Sequence, residues 1–219
     1  MIRVGKLYSD IMEKLKFEPG LDASNITIAI KEGGIVILGG EVKSYAEKLL
    51  AEKVLKKING INGVADELKV VLVSENVKND FDLIKAALNA LEWAVFVPSE
   101  RIKLVVERGH LTLSGQVEQY YQKMYAQKAV QDLMGVASVI NNIIVKPEVD
   151  ALDVKEQIIK EFERNARINA SSIEVEVNGS AVTLKGLVTS FDEDKEARIA
   201  AWSVPGVAKV IDHLLISWE

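Results

Sequence analysis

The chain has no cysteine, which excludes disulfides, thiolate nucleophiles and Cys-ligated metal centres. It has two histidines, His110 and His213, set far apart. A histidine metal site would need further partners that the sequence does not group with either. No G-x-S-x-G elbow, G-x-G-x-x-G turn or phosphate loop occurs. No apolar run approaches the roughly 18 residues that a spanning helix needs. Met1–Gly20 is interrupted by Lys6, Asp10, Glu13 and Lys14, so it lacks the apolar stretch of a secretory leader. The cytoplasm is therefore the expected compartment, with the periplasm as the alternative if a signal peptide has been removed. Basic residues are not in excess. The net charge is −5, and the last 72 residues carry 8 basic and 14 acidic groups, which argues against nucleic acid as a partner. These absences exclude the common catalytic and metal-binding constellations, so no enzyme activity, cofactor or metal is expected.

What is present is a threefold repeat. Ile26–Val70, Ile102–Val145 and Ile173–Ile216 follow one pattern: alternating strand, glycine turn, second strand ending in Gly-x-Val, amphipathic helix, glycine, third strand. Gly40, Gly115 and Gly186 stand at the expected close of the second strands, and Gly60, Gly135 and Gly206 each follow 20 residues later. Ala51, Ala126 and Ala197 hold one place in the three helices. Leu15, Leu91 and Phe162 each precede the first strand by the same interval, so a leading helix is in register too. A fixed period of this kind marks tandem units. The expected domains are 1–74, 75–147 and 148–219.

The leading helices are expected over Ser9–Phe17, Asp80–Ala94 and Val154–Asn165. Their apolar stripes are Ile11, Met12 and Leu15; Ile84, Ala87, Leu88 and Leu91; and Ile158, Ile159 and Phe162. Ser44 with Glu47 reads as a capping box for the second helix of the first repeat. The second strands are expected over Ile35–Leu38 and Leu111–Ser114, with Val182 and Leu184 marking the third. The last strands are Val64–Leu72, Val139–Val145 and Val210–Ile216. An antiparallel hairpin followed by a right-handed parallel crossover gives an α+β fold. Each α-β-β-α-β unit is then a three-stranded mixed sheet with two helices on one face. The opposite sheet faces hold Ala29, Ile35 and Ile37; Val105, Ile140 and Ile144; and Ala181, Ile211 and Leu215. Faces this apolar are expected to be covered by a neighbouring repeat or a second chain.

Leu111-Thr112-Leu113-Ser114-Gly115-Gln116-Val117 and Gly135-Val136-Ala137-Ser138-Val139-Ile140-Asn141-Asn142-Ile143-Ile144-Val145 resemble the BON domain, named for bacterial OsmY and nodulation proteins. Val182–Val188 with Gly206–Asp212 repeats the motif, and so does Val36–Val42 with Gly60-Ile61 in place of Gly-Val. The resemblance covers nearly the whole chain. It implies a non-enzymatic binding or scaffold protein, acting on a phospholipid membrane surface or on client proteins in a chaperone-like role. Envelope or osmotic stress is the implied setting, since the familiar members are mostly secreted or envelope proteins. One branch of the family implies the alternative, potassium binding or sensing through backbone carbonyls.

The residues outside the core pattern carry the rest of the reading. With Ala126 inward, Tyr121 and Met124 point outward and Tyr125 lies on the flank. Ile199 and Trp202 lie on the outward side of the same helix in the third repeat, where the first has Leu49, Lys53 and Lys56. These five apolar residues, Tyr121, Met124, Tyr125, Ile199 and Trp202, are the candidate contact with a protein partner, a lipid surface or a second copy of the chain. Burial against a neighbouring repeat is the other reading. The run Asp192-Glu193-Asp194 opens a helix, where negative charge suits the helix dipole.

Overall fold

The computed structural model describes residues 4–73, 77–147 and 153–217. The boundaries expected near 74 and 148 fall outside these residues. The fold is α+β, with three tandem α-β-β-α-β units. Each begins with an amphipathic helix: α1 (Val4–Phe17), α3 (Asp80–Trp93) and α5 (Val154–Arg164). Their buried positions recur every four residues, at Leu7, Ile11 and Leu15, at Leu83, Ala87 and Leu91, and at Val154, Ile158 and Phe162. The expected stripes were wider. Met12 and Ile84 are half-buried, while Leu88 and Ile159 are exposed. A small sheet accepts a single i, i+4 ridge from the helix above it, so flanking apolar residues stay outside. Helix α1 also starts at Val4, five residues before Ser9, which gives the ridge its third member, Leu7.

A short 3-10 turn leads from each helix into the first strand: β1 (Ile26–Lys31), β5 (Ile102–Glu107) and β8 (Ile173–Asn178). The second strands are β2 (Ile35–Val42), β6 (His110–Val117) and β9 (Ala181–Val188). Helices α2 (Tyr45–Leu55), α4 (Tyr120–Gln131) and α6 (Phe191–Ser203) cross to the last strands. These are β3 (Gly63–Asp66) with β4 (Lys69–Val70), then β7 (Ser138–Val145), then β10 (Lys209–Ile216). The second strand is central in each sheet. It runs antiparallel to the first in β1/β2 and β8/β9 and parallel to the last in β2/β3 and β9/β10.

Gly40, Gly115 and Gly186 do not close their strands. Each lies within one, and the strand continues to a buried valine, Val42, Val117 or Val188. The reason is a close approach of backbone to backbone. A Cβ at these positions would sit 2.0 Å from the Asn25 carbonyl oxygen, 2.1 Å from that of Arg101 and 2.0 Å from that of Ser172. The φ values, +98°, +140° and +131°, lie where side chains are strained in any case. Gly60, Gly135 and Gly206 are buried, between the second helix and the last strand. Ala51, Ala126 and Ala197 have no exposed surface, which brings helix and sheet close together.

The last strand carries a second shared device. Asp66, Asn141 and Asp212 occupy one place, and each Oδ1 accepts from the backbone N–H two residues on, at 3.0, 3.2 and 2.9 Å. The far end of the side chain reaches the second helix, by a different bond each time. Asp66 pairs with Lys48 at 3.3 Å, Asn141 Nδ2 donates to the Lys123 carbonyl at 2.9 Å, and Asp212 pairs with Arg198 at 3.3 Å. In the first repeat the expected Val64–Leu72 strand is split at this turn into β3 and β4, whereas β7 and β10 run on through it.

The chain gathers into two compact units, and the middle repeat contributes to both. One holds the chain up to Ala87 with Val105–Leu111 and Val130–Ile140; the other holds Leu88–Leu104, Thr112–Ala129 and the chain from Asn141 on. No neighbouring repeat of the chain covers the open sheet faces at Ile35, Val105, Ile140, Ile144 and Leu215, which are all exposed; of the two expected covers, only a second chain is left. Both helices of a repeat lie on the other face, so nothing in the repeat can cover this one.

A serine caps the second helix of the first and third repeats, and the middle repeat keeps only the reach-back half of the capping box. Ser44 accepts from Glu47 N at 3.1 Å, and Ser190 from Glu193 N at 3.1 Å. In the middle repeat Gln122 Oε1 reaches back to the N–H groups of Glu118 and Gln119, both at 3.0 Å. Glu193 is the buried version. It accepts from Asn169 N at 2.7 Å, Thr189 N at 2.8 Å and the Thr189 hydroxyl at 2.7 Å. Burial alone would raise its pKa, but these donors together hold it below the ordinary glutamate value.

A lowered folded pKa means that Glu193 stabilises the fold above the unfolded value of about 4.3, and that this contribution disappears as pH falls through the folded pKa. Urea midpoints between pH 6 and 3 should therefore fall less steeply in Glu193→Gln than in the parent, and parallel curves would refute the clamp. Ala126→Leu should cost roughly 1–3 kcal/mol by overpacking. Gly115→Ala should cost more, about 4 kcal/mol, because backbone rather than side chain must move. Unchanged urea midpoints in either variant would contradict the close approaches described.

Candidate binding surface

Helix α4 turns Ala126 and Val130 into the core, which leaves Tyr121, Met124 and Tyr125 exposed on its outer side. They do not stand alone. The loop after α3 brings Phe96 against Tyr125, with ring centroids 5.2 Å apart, and edge-on to Tyr121 at 6.2 Å. Tyr121 and Tyr125 are themselves 6.4 Å apart in an edge arrangement. Trp93, the last residue of α3, and Val95 on the loop are 85% and 91% exposed. Val97 is buried and anchors the loop, and Val97 N donates to the Ala94 carbonyl at 2.9 Å. The result is an open aromatic and aliphatic tip on a fixed base.

Trp93, Val95 and Phe96 were not among the residues expected from the sequence. The signal lies in the register of the repeats. At the same distance from the first strand, the first repeat has Phe17, Pro19 and Gly20, and the third has Arg164, Ala166 and Arg167. A fold that accepts glycine or arginine there does not require Phe96. On the helix beside the tip, burial pulls the Lys123 ammonium below its ordinary pKa.

Trp202 and Ile199 are placed differently. Trp202 is half-buried against the core of the third repeat and stacks on Tyr120 of α4, with centroids 4.2 Å apart and planes 8° apart. Burial raises the Tyr120 phenol, with the Arg198 charge pulling the other way. Ile199 is exposed on α6. Tyr121 and Tyr125 thus belong to the Phe96 tip, Met124 is exposed on the same helix, and Trp202 is turned to Tyr120.

The remaining polar candidates do not converge. His110 Nδ1 lies 2.7 Å from the Ser138 hydroxyl, and His213 is exposed on β10. Of the acidic run, Glu193 caps its helix and Asp194 accepts from Arg198 at 2.7 Å. Asp194 is held above the ordinary carboxylate value, first by burial and then by Asp212, against the pull of Arg198. Among the described residues, no group of three or more His, Asp or Glu side chains is placed to hold a metal ion.

A family model for the BON domain matches three times, over residues 5–71, 79–147 and 150–217. The chain belongs to the BON domain family. A relative, Osmotically-inducible protein Y of Escherichia coli (strain K12), is 31% identical over 158 residues, which make up 67% of this chain and 77% of the relative. Among solved structures, the C-terminal domain of CdsD, a structural protein of the type III secretion system of Chlamydia trachomatis, aligns over 99% of this chain and 100% of its own. The identity is 14% and the TM-score 0.28. The PrgH periplasmic domain aligns over 89% and 96%, with 10% identity and a TM-score of 0.22. Scores this low carry no argument about this BON protein. Among the described residues, no helix is long and apolar enough to cross a membrane.

The Tyr120–Trp202 stack gives a direct test. A double-mutant cycle with Tyr120→Ala and Trp202→Ala, read by urea unfolding, should return a coupling of about 0.5–1.5 kcal/mol. Strictly additive losses would show that the rings do not support each other.

Proposed function

We propose that this protein is a non-enzymatic BON-type binding protein that docks its middle repeat on a phospholipid membrane surface. The observation that carries the reading is the tip formed by Trp93, Val95 and Phe96 with Tyr121 and Tyr125, all exposed. Aliphatic and aromatic groups at the end of a fixed loop bury area in the headgroup region, and Trp and Tyr favour that interface. A role under osmotic stress, in the envelope rather than the cytoplasm, goes with this reading. Its support is the relative induced by osmotic change and the resemblance to secreted and envelope proteins. The third repeat, net acidic and with Ile199 exposed, suits a protein client better than an anionic bilayer.

Vesicles of mixed zwitterionic and anionic phospholipid should carry the full chain in flotation. The double variant Trp93→Ser/Phe96→Ser should float at least about tenfold less, since two large apolar groups leave the bilayer. Both positions are exposed, so the unfolding midpoint should stay close to the parent's. Equal flotation of parent and variant, or no flotation of either, would overturn the lipid reading. In the second case, loss of client-protein binding in the same variant would move the function to protein contact.

A further inference from the structure

The first compact unit holds a groove that is separate from the aromatic tip. Two cavities adjoin there, sharing Tyr45 and Leu72 as walls. The larger, about 490 Å³, is within the range of small-molecule sites. It is lined by three cations, Lys48, Lys69 and Arg108, together with His110. Lys48 is already engaged, donating to the Leu68 carbonyl at 2.7 Å and pairing with Asp66 at 3.3 Å. Lys69 and Arg108 have no ion-pair partner among the described residues, and both are exposed. The smaller cavity, about 200 Å³, is walled by Leu133, Met134 and Val136. Its polar rim holds Lys43, which Asp22 neutralises at 2.6 Å, and the carboxylate of Asp132.

The two ends therefore differ in what they accept. One offers two unpaired cations and an imidazole; the other offers hydrocarbon beside an acid that repels a second anion. Tyr45, between them, is held neutral, since burial raises its phenol above the ordinary value while its oxygen accepts from the Val139 N–H. We propose that this groove binds a single-chain amphiphile with an anionic head. The tail lies along Leu72, Leu133, Met134 and Val136, and the head meets Lys69, Arg108 and His110. Asp132 fixes the direction, because a head at the smaller cavity would face like charge. A carboxylate and a phosphate monoester are the two heads that fit this chemistry. The proposal stands on charge and shape in the first compact unit and does not depend on the membrane reading.

The test is amide chemical-shift titration of the full chain with decanoate, decyl phosphate, decanol and acetate, each below its aggregation concentration. Decanoate or decyl phosphate should shift amides at Lys69, Arg108, Ala137 and Met134 saturably. Whichever of the two binds more tightly names the head. Acetate should not shift them, and decanol should bind about tenfold more weakly than the charged probes, since the head loses its charge-assisted bonds. Lys69→Gln/Arg108→Asn should weaken decanoate at least about tenfold; Asn tolerates the left-handed φ of 50° at position 108. Phe96→Ser should leave these shifts unchanged, so a failure of the lipid-surface reading is told apart from a failure of this one. Shifts confined to Phe96, Tyr121 and Tyr125, or decanoate bound equally by the double head variant, would overturn the groove.

Discussion

Each repeat turns on one backbone contact, the carbonyl of the 3-10 turn laid against a glycine in the middle of the central strand. It holds the entry to the first strand against the exit of the second, so the leading helix and the crossover helix come to one face. The strand can then continue past the glycine and bury Val42, Val117 or Val188 beneath the start of the next helix. With the helix start fixed, the capping residues Ser44, Gln122 and Glu193 fall where their backbone donors are. The close Ala51, Ala126 and Ala197 contacts follow from the same placement, because the helix has no room for a larger side chain.

Much of this was legible because the chain states it three times. The 20-residue glycine interval gave the order of elements, and the alternation of Ile26–Ile30 gave the strand. Two things were not legible. The width of the leading helix stripe depends on how much sheet lies under it, and no local pattern in Ile84, Leu88 or Ile159 reports that. The role of the glycines was misplaced because a positive φ inside a strand is needed only when another backbone presses on it, and that is a tertiary fact. The aromatic tip was half legible. Tyr121 and Tyr125 stood out on a second helix whose counterpart in the first repeat carries Lys53 and Lys56 on its outward side, whereas Phe96 lies in a loop with no periodicity to break. Only the comparison of Phe96 with Gly20 and Arg167 exposes it.

The shared Asp66, Asn141 and Asp212 position separates what the fold demands from what it leaves free. The turn accepted by Oδ1 is the same in all three, so an Asp or Asn is required. The outer end of the side chain meets a lysine, a backbone carbonyl or an arginine, so the partner on the helix is not fixed. Partly buried pairs of this sort add little net stability when geometry and solvent compete. Their value here is in joining the last strand to the helix above it while allowing the helix surface to change charge from one repeat to the next.

That freedom explains how one fold repeated three times can carry unlike surfaces. The core positions are held by contact on all sides, but the outward side of the second helix and the loop after the first are held by nothing within the repeat. At these two places the first repeat has Leu49 and Gly20, the middle Met124 and Phe96, and the third Lys195 and Arg167. A large exposed ring costs solubility, so Trp93 and Phe96 beside Tyr121 and Tyr125 are the part of this surface on which the proposed docking rests. The open sheet faces do not support the same argument. Val105, Ile140 and Ile144 are β-branched residues in a strand, where intrinsic preference already favours them without a partner. Loop aromatics have no such local reason, and this asymmetry places the weight of the functional reading on the tip and not on the sheet.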